Sequence, residues 1–302
     1  MIYIIGAGAI GKALAVFLKN AGREAILVRG SVDELPGTSE TIRIKLPDDS
    51  ELSAEVEVRT FNSLAPLDGL IVVTTKAYGN GALAAKLRGL ANKNPVILLQ
   101  NGLNIERSFV KSGLAQLYRC VLFVTSQFDS DFIRVKPVAS CPIGVVAGDP
   151  EKLPELVSQL DNPWFRFRTE ADIQLLVWRK AITNCVFNSV CPLLDVDNGI
   201  FHRDEAALAI ARRIIGECIT VAAACGIMLR QEEVIETLLS ISRSSDGQPI
   251  STLQDIRNKR PVEIDALNAE IVRLAIAHGL ENSVPETRLL GELTTIKSLL
   301  NR

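Results

Sequence analysis

The chain opens with "MIYIIGAGAIG", an apolar run leading into Gly6-x-Gly8-x-x-Gly11. No other stretch restricts the fold as much. The first glycine allows a tight turn, the second lets backbone approach a pyrophosphate, and the third lets a helix pack closely on the strand. The helix then aims its unpaired N–H groups and positive dipole end at the phosphates. The pattern needs a strand before it and a helix after it. It therefore predicts a Rossmann-type α/β half and assigns Gly6, Ala7, Gly8, Ala9, Ile10 and Gly11 to a dinucleotide. A purely structural glycine turn is the alternative.

The surrounding pattern agrees. "EAILV", "GLIVVTT" and "PVILLQ" are short β-rich runs, each followed by a turn and a helical pattern. Such alternation predicts a parallel sheet covered on both faces. "IRIKLPDDSELSAEVEVRT" (42–60) alternates with period two around Pro47–Asp49, as an antiparallel hairpin does, and β character continues to residue 148. From Glu170 onward Leu, Ala, Ile and charges recur at helical spacing, broken near Pro192, Asp197–Gly199, Gly226, Asp246–Pro249, Pro261 and Gly279. With 302 residues the chain can bury two cores. The expectation is an α/β N-terminal Rossmann-type domain over 1–168, binding NADP, and an all-α C-terminal domain over 169–302 that carries substrate and catalysis.

The second strand bears on the nucleotide. An NAD site usually ends this strand in Asp or Glu, which holds the ribose 2′-hydroxyl. Here it ends in Arg29, followed by Gly30 and Ser31. An arginine can grip a 2′-phosphate bidentately, so NADP(H) is the expected cofactor, with a solvated strand-end arginine as the plain alternative. Lys76 in "VVTTKAYG" and Asn101 in "ILLQNGLN" fall at two further strand ends, where open α/β sheets bind ligands. Either is also compatible with an ordinary loop residue.

In the helical half, "LLVWRKAITNCVFNS" places Lys180, Asn184 and Asn188 four residues apart. At about 100° per residue they share one stripe of a helix. A buried ammonium is costly without a partner, which argues that the stripe faces something polar.

Other function classes have little support. The net charge of −2 offers no electrostatic footprint for nucleic acid or an anionic membrane. No run reaches the length of a membrane span, and the N-terminus lacks the basic region of a signal peptide. Six cysteines without C-x-x-C spacing and two isolated histidines make no familiar metal site. The expectation is a cytoplasmic protein with reduced thiols, no metal, no nucleic acid and no membrane partner; a homodimer is allowed for.

Taken together, "GAGAIG", "TTKAYG", "LLQNGLN", "LVWRKAITNCVFN", "DNGIF", "ISTLQDIRNKRPVEIDALN" and "SVPETRLL" resemble the ketopantoate reductase (2-dehydropantoate 2-reductase) family over essentially the whole chain. The resemblance implies NADPH-dependent reduction of 2-dehydropantoate to (R)-pantoate, on the way to coenzyme A, in a cleft between two domains. It makes Lys180 the general acid and has Glu263 bind a substrate hydroxyl. Asn101 holds substrate and nicotinamide, Asn184 and Asn188 hydrogen-bond the substrate, Ser251 takes its carboxylate, and Lys76 and Arg29 serve the cofactor. Plainer roles exist beside these. With Pro261 as first helical residue, Glu263 is the third and meets the helix dipole. Ser251 with Gln254 reads as a capping box.

The chain also departs from the family. "TSQFDSDFIRVKPVASCPIG" lacks the usual glycines, Ala269 follows Asn268 where glycine is usual, and Gln248 stands where some members have asparagine. Reduction of another small 2-oxo or 3-oxo acid, or a noncatalytic NADPH sensor, are the rival functions.

Overall fold

Alternating apolar runs in the first half form strands, and the intervening polar-faced segments form helices. The computed structural model describes residues 1–30, 35–64, 67–90 and 93–302; Ser31 lies outside the described residues. Two units result. One comprises Met1–Gln100 with Ile105–Ile173, the other Asn101–Asn104 with Gln174–Arg302.

The first unit holds β1 (Ile2–Ile5), α1 (Ala9–Asn20), β2 (Ala25–Arg29), β3 (Thr38–Lys45), β4 (Glu51–Thr60), β5 (Leu70–Val73), α2 (Asn80–Leu90), β6 (Val96–Leu98), α3 (Arg107–Lys111), β7 (Leu117–Cys120), β8 (Val124–Asp129), β9 (Phe132–Pro137), β10 (Cys141–Ala147), α4 (Leu153–Leu160) and β11 (Phe167–Thr169). One sheet runs β11-β10-β7-β6-β5-β1-β2-β4-β3-β9-β8. Its centre, β7-β6-β5-β1-β2-β4, is parallel throughout. β1 lies between β2 and β5, so the chain builds outward from it first in one direction and then in the other. That is the topological switch point, where ligands bind at the carboxyl edge.

Burial follows from topology. All four residues of β5 are buried, as are Ala25–Val28 of β2, because both sheet faces are covered. Ala13–Leu18 of α1 and Leu153, Leu156, Val157 and Leu160 of α4 join Ile2, Ile4 and Leu27 in one apolar cluster. The predicted hairpin is β3–β4, paired antiparallel from Thr38↔Val58 to Lys45↔Glu51. The stretch without the usual glycines forms a second hairpin, β8–β9, turning at Ser130 with φ +45°.

The second unit is helical: α5 (Ile173–Leu194, whose first residue belongs to the first unit), α6 (Ile200–Arg203), α7 (Glu205–Ala224), α8 (Gln231–Ser244), α9 (Ser251–Arg257), α10 (Asn268–Ala277) and α11 (Pro285–Leu300). No helix among the described residues is long and apolar enough to cross a membrane.

Candidate active site

The glycine turn joins β1 to α1. Gly6 adopts φ +123°, and a Cβ there would meet Thr74 Oγ1 at 2.7 Å and the Thr75 backbone nitrogen at 2.8 Å. At Gly11 a Cβ would stand 1.9 Å from the Gly6 carbonyl oxygen. Thr74 fastens the turn by donating its hydroxyl to the Gly6 carbonyl at 3.0 Å, a support the sequence reading missed. Gly8 differs: among the described residues nothing lies within 4 Å of a Cβ built there, and its φ of −78° suits any residue. Packing against the described residues therefore does not require glycine at position 8, and the open backbone leaves room for a ligand to approach closely. As N-cap of α1 it contributes no side chain, and the first turn carries no acid, which leaves N–H groups for an anion. The residues present fit a dinucleotide pyrophosphate.

A pair of variants separates these roles. Gly11→Ala forces backbone apart and is expected to destabilise the fold by about 3 kcal/mol or more. Gly8→Ala should cost no more than about 1 kcal/mol of stability yet weaken NAD(P)H binding about ten- to hundredfold. Thermal melts and fluorescence titration measure both; equal binding by Gly8→Ala and the parent would remove Gly8 from the site.

At the end of β2, Arg29 Nη2 lies 3.1 Å from Glu40 Oε1, and Glu40 Oε2 accepts from Lys12 Nζ at 2.7 Å. The Lys12 hydrogen bond, aided by Arg29, holds the Glu40 carboxyl below its ordinary range against the opposing effect of burial. Neither Lys12 nor Glu40 was singled out from sequence. Lys12 follows Gly11 directly and was within reach of the motif, but Glu40 belongs to the inserted hairpin and carries no pattern.

Lys76 caps a 3₁₀ turn, Ala77–Gly79, just past β5. Behind it two buried amides interlock: Asn80 Nδ2 donates to Gln100 Oε1 at 3.0 Å, and Gln100 Nε2 donates to Asn80 Oδ1 at 2.7 Å and to the Thr75 carbonyl at 2.8 Å. This lock fixes the strand ends from which Lys76 and Asn101 extend.

The loop bearing Asn101 belongs to the helical unit. Leu103 N donates to the Ala266 carbonyl at 2.8 Å, and Asn104 Nδ2 donates to Glu270 Oε1 at 2.7 Å. Glu263 caps the 3₁₀ turn Ile264–Ala266. The structure thus brings the Asn101 loop onto the turn that Glu263 begins. Pro261 does not start a helix: residues 261–263 are non-helical and α10 begins only at Asn268. The proposed dipole role for Glu263 at a third helical position is therefore corrected.

Lys180, Asn184 and Asn188 all lie on α5. From Ala181 to Pro192 every residue except Asn184 is buried, and Lys180 is half-buried. A helix buried nearly all round sits inside a core, so the Lys180–Asn184 edge is where this one opens. The two positions are about 6 Å apart along the axis. Among the described residues the Asn184 side chain has no hydrogen-bond partner. Asn188 is different. Its Nδ2 donates to the Asn184 carbonyl at 3.0 Å, while its Oδ1 accepts from Thr252 Oγ1 at 2.7 Å and Ser251 Oγ at 3.3 Å. It ties α5 to the start of α9.

Ser251 is exposed and is the first helical residue of α9; the cap is Ile250. The capping box does not form, because Gln254 Nε2 donates to the Pro249 carbonyl at 2.7 Å and the serine hydroxyl goes to Asn188. That leaves the hydroxyl at the surface, next to the amide stripe.

All six cysteines are free thiols and all but Cys225 are buried. Burial raises Cys185 well above its ordinary pKa and, with Asp197 nearby, pushes Cys191 up to about 12. Thiols so shifted are poor nucleophiles.

Known proteins resemble the chain along its length. The profile described as ketopantoate reductase PanE/ApbA matches residues 2–133, and its C-terminal counterpart matches residues 172–297. A 2-dehydropantoate 2-reductase of Pyrococcus abyssi is 27% identical over 99% of this chain and 98% of that protein. A probable 2-dehydropantoate 2-reductase of Schizosaccharomyces pombe is 26% identical over 100% and 97%. Among solved structures, a D-mandelate dehydrogenase with NADH and anilino(oxo)acetate has TM-score 0.84 at 23% identity, covering 100% of this chain and 99% of that one. A dimeric ketopantoate reductase from Staphylococcus aureus has TM-score 0.81 at 20% identity with the same coverage. These two structural likenesses concern the fold.

Proposed function

The chain belongs to the ketopantoate reductase PanE/ApbA family, and from that premise we propose that it reduces 2-dehydropantoate to (R)-pantoate with NADPH in the cytoplasm. It is an oxidoreductase by family, and the family works with a nicotinamide cofactor.

One observation carries the reading: α5 is buried from Ala181 to Pro192 except at Asn184, and a lysine sits one turn away from that opening. A reduced nicotinamide bound at the glycine turn would supply the hydride that C2 of the oxo acid accepts. Lys180 donates the accompanying proton to the carbonyl oxygen, which stays on C2 as the product hydroxyl. Before that step its ammonium and the Asn184 amide polarise the carbonyl, because charge develops on that oxygen as the bond breaks. Ser251 offers a surface hydroxyl to the substrate carboxylate, and Glu263 accepts the hydrogen bond of the substrate's own hydroxyl. Asn101 orients substrate and nicotinamide. Asn188 is assigned chiefly to hold Ser251 and α9 on α5, in line with its internal hydrogen bonds. On the cofactor side the glycine turn takes the pyrophosphate, with Lys76 and Arg29 as cationic contacts, Arg29 at the adenosine 2′-phosphate.

Initial rates of NADPH oxidation with a panel of 2-oxo and 3-oxo acids test this. The expected result is turnover highest with 2-dehydropantoate. A sensor would bind NADPH and oxidise it with none of them, and either that outcome or preference for another acid would overturn the assignment.

A further inference from the structure

Glu40 has no part in the reaction just described, yet it occupies the cationic corner beside α1 and the end of β2. Its two oxygens lie 2.7 Å from Lys12 Nζ and 3.1 Å from Arg29 Nη2. A carboxylate spread over two cationic donors uses the hydrogen-bonding positions that a phosphate would use. The three side chains are 22%, 23% and 30% exposed. All three side chains are partly open to water, so a ligand can reach the carboxylate.

We propose that Glu40 is an internal counter-ion that sets nucleotide choice, competing with the 2′-phosphate of NADPH for Lys12 and Arg29 and accepting the 2′-hydroxyl of NADH instead. This rests on the reading that the end of β2 holds the adenosine ribose. A phosphate dianion brought beside Glu40 meets a like charge and must expel it. Once Glu40 has moved out, two cations face a dianion and the charges balance. NADH demands no such exchange, since its 2′-hydroxyl can donate to a carboxylate that stays in place. Glu40 therefore narrows the NADPH preference that Lys12 and Arg29 alone would give. Strand β3 delivers it across β4, since Glu40 pairs with Val56 and β4 in turn pairs with β2. The acid thus reaches the ribose corner from the inserted hairpin and not from the strand that usually supplies it.

Equilibrium fluorescence titrations of the whole protein with NADPH and NADH provide the test, read as dissociation constants and not as turnover. Glu40→Gln keeps the shape and removes the charge. It is expected to tighten NADPH about tenfold or more, while NADH is unchanged or weaker. Glu40→Ser should shift the ratio in the same direction, which guards against a folding defect peculiar to one variant. Arg29→Gln should weaken NADPH about tenfold and leave NADH nearly unchanged. If Arg29→Gln weakens NADPH but both Glu40 variants leave the NADPH-to-NADH ratio as it was, the role of Glu40 is overturned and the placement of the ribose stands. If Arg29→Gln has no effect on NADPH, that placement fails and the inference fails with it.

Discussion

Lys180→Ala should lower kcat about 10²–10⁴-fold, the range general acid catalysis supplies, while NADPH binding stays close to that of the parent. The expectation follows from where Lys180 sits. It is half-buried, directly before the stretch in which every residue but Asn184 is buried and one turn before Asn184 itself. Removing its side chain leaves the apolar contacts of Trp178, Ala181 and Ile182 in place, so the helix should persist. Lys180→Arg sharpens the test. An arginine keeps the positive charge but does not give up its proton. If Lys180 only attracted the substrate carboxylate, Lys180→Arg would retain most of kcat. If it delivers a proton, Lys180→Arg should remain impaired. A Lys180→Ala variant that folds and turns over normally would refute the role.

The second large effect concerns selectivity. 2-Dehydropantoate carries a hydroxyl besides its 2-oxo acid group, and 2-oxoisovalerate lacks the hydroxymethyl that bears it. Glu263 begins the 3₁₀ turn Ile264–Ala266, to which the Asn101 loop is hydrogen-bonded through Leu103. If that neighbourhood closes around the hydroxyl, the smaller acid leaves a carboxylate without its donor. Sites built around a hydroxyl reject the analogue by roughly 10⁴–10⁵, far beyond the value of a missing methylene. The ratio of kcat/KM values for the two acids should approach that size. Glu263→Ala should shrink it, because the group otherwise stranded is gone. A Glu263 that served only to cap its turn would instead lower Tm and leave the ratio unchanged. Comparable kcat/KM for both acids in the parent protein would favour a reductase of broader 2-oxo acid range.

Local pattern made some of this legible. The glycine turn could be read because Gly6 and Gly11 answer short-range needs of the turn itself, and the sharing of one helix by Lys180, Asn184 and Asn188 is plain periodicity. The fate of Asn188 was not legible: its partners Ser251 and Thr252 are more than sixty residues away and arrive only when α9 packs on α5. The same contact undid the expected capping box, since the Ser251 hydroxyl found an amide before it could cap its own helix. Pro261 suited a helix start, but the chain runs on unwound through Glu263, and only Ile264–Ala266 make a 3₁₀ turn before α10. The strand-end loop carrying Asn101 reads as part of the α/β half, yet hydrogen bonds to Ala266 and Glu270 join it to the helices. Glu40 was invisible for a related reason. In a strand that alternates exposed and buried residues it looks like one more solvated acid, and only the neighbouring β4 and β2 bring it to Arg29.

Reduction by this chain requires that a hydride pass from the nicotinamide to C2 of 2-dehydropantoate. NADPH deuterated at C4 of the nicotinamide on the transferred face tests it directly, with the product examined by NMR and mass spectrometry. The expected product carries one deuterium per pantoate, located at C2, with one NADPH oxidised for each pantoate formed. Pantoate without the label, or NADPH left unoxidised in the presence of 2-dehydropantoate, would contradict it.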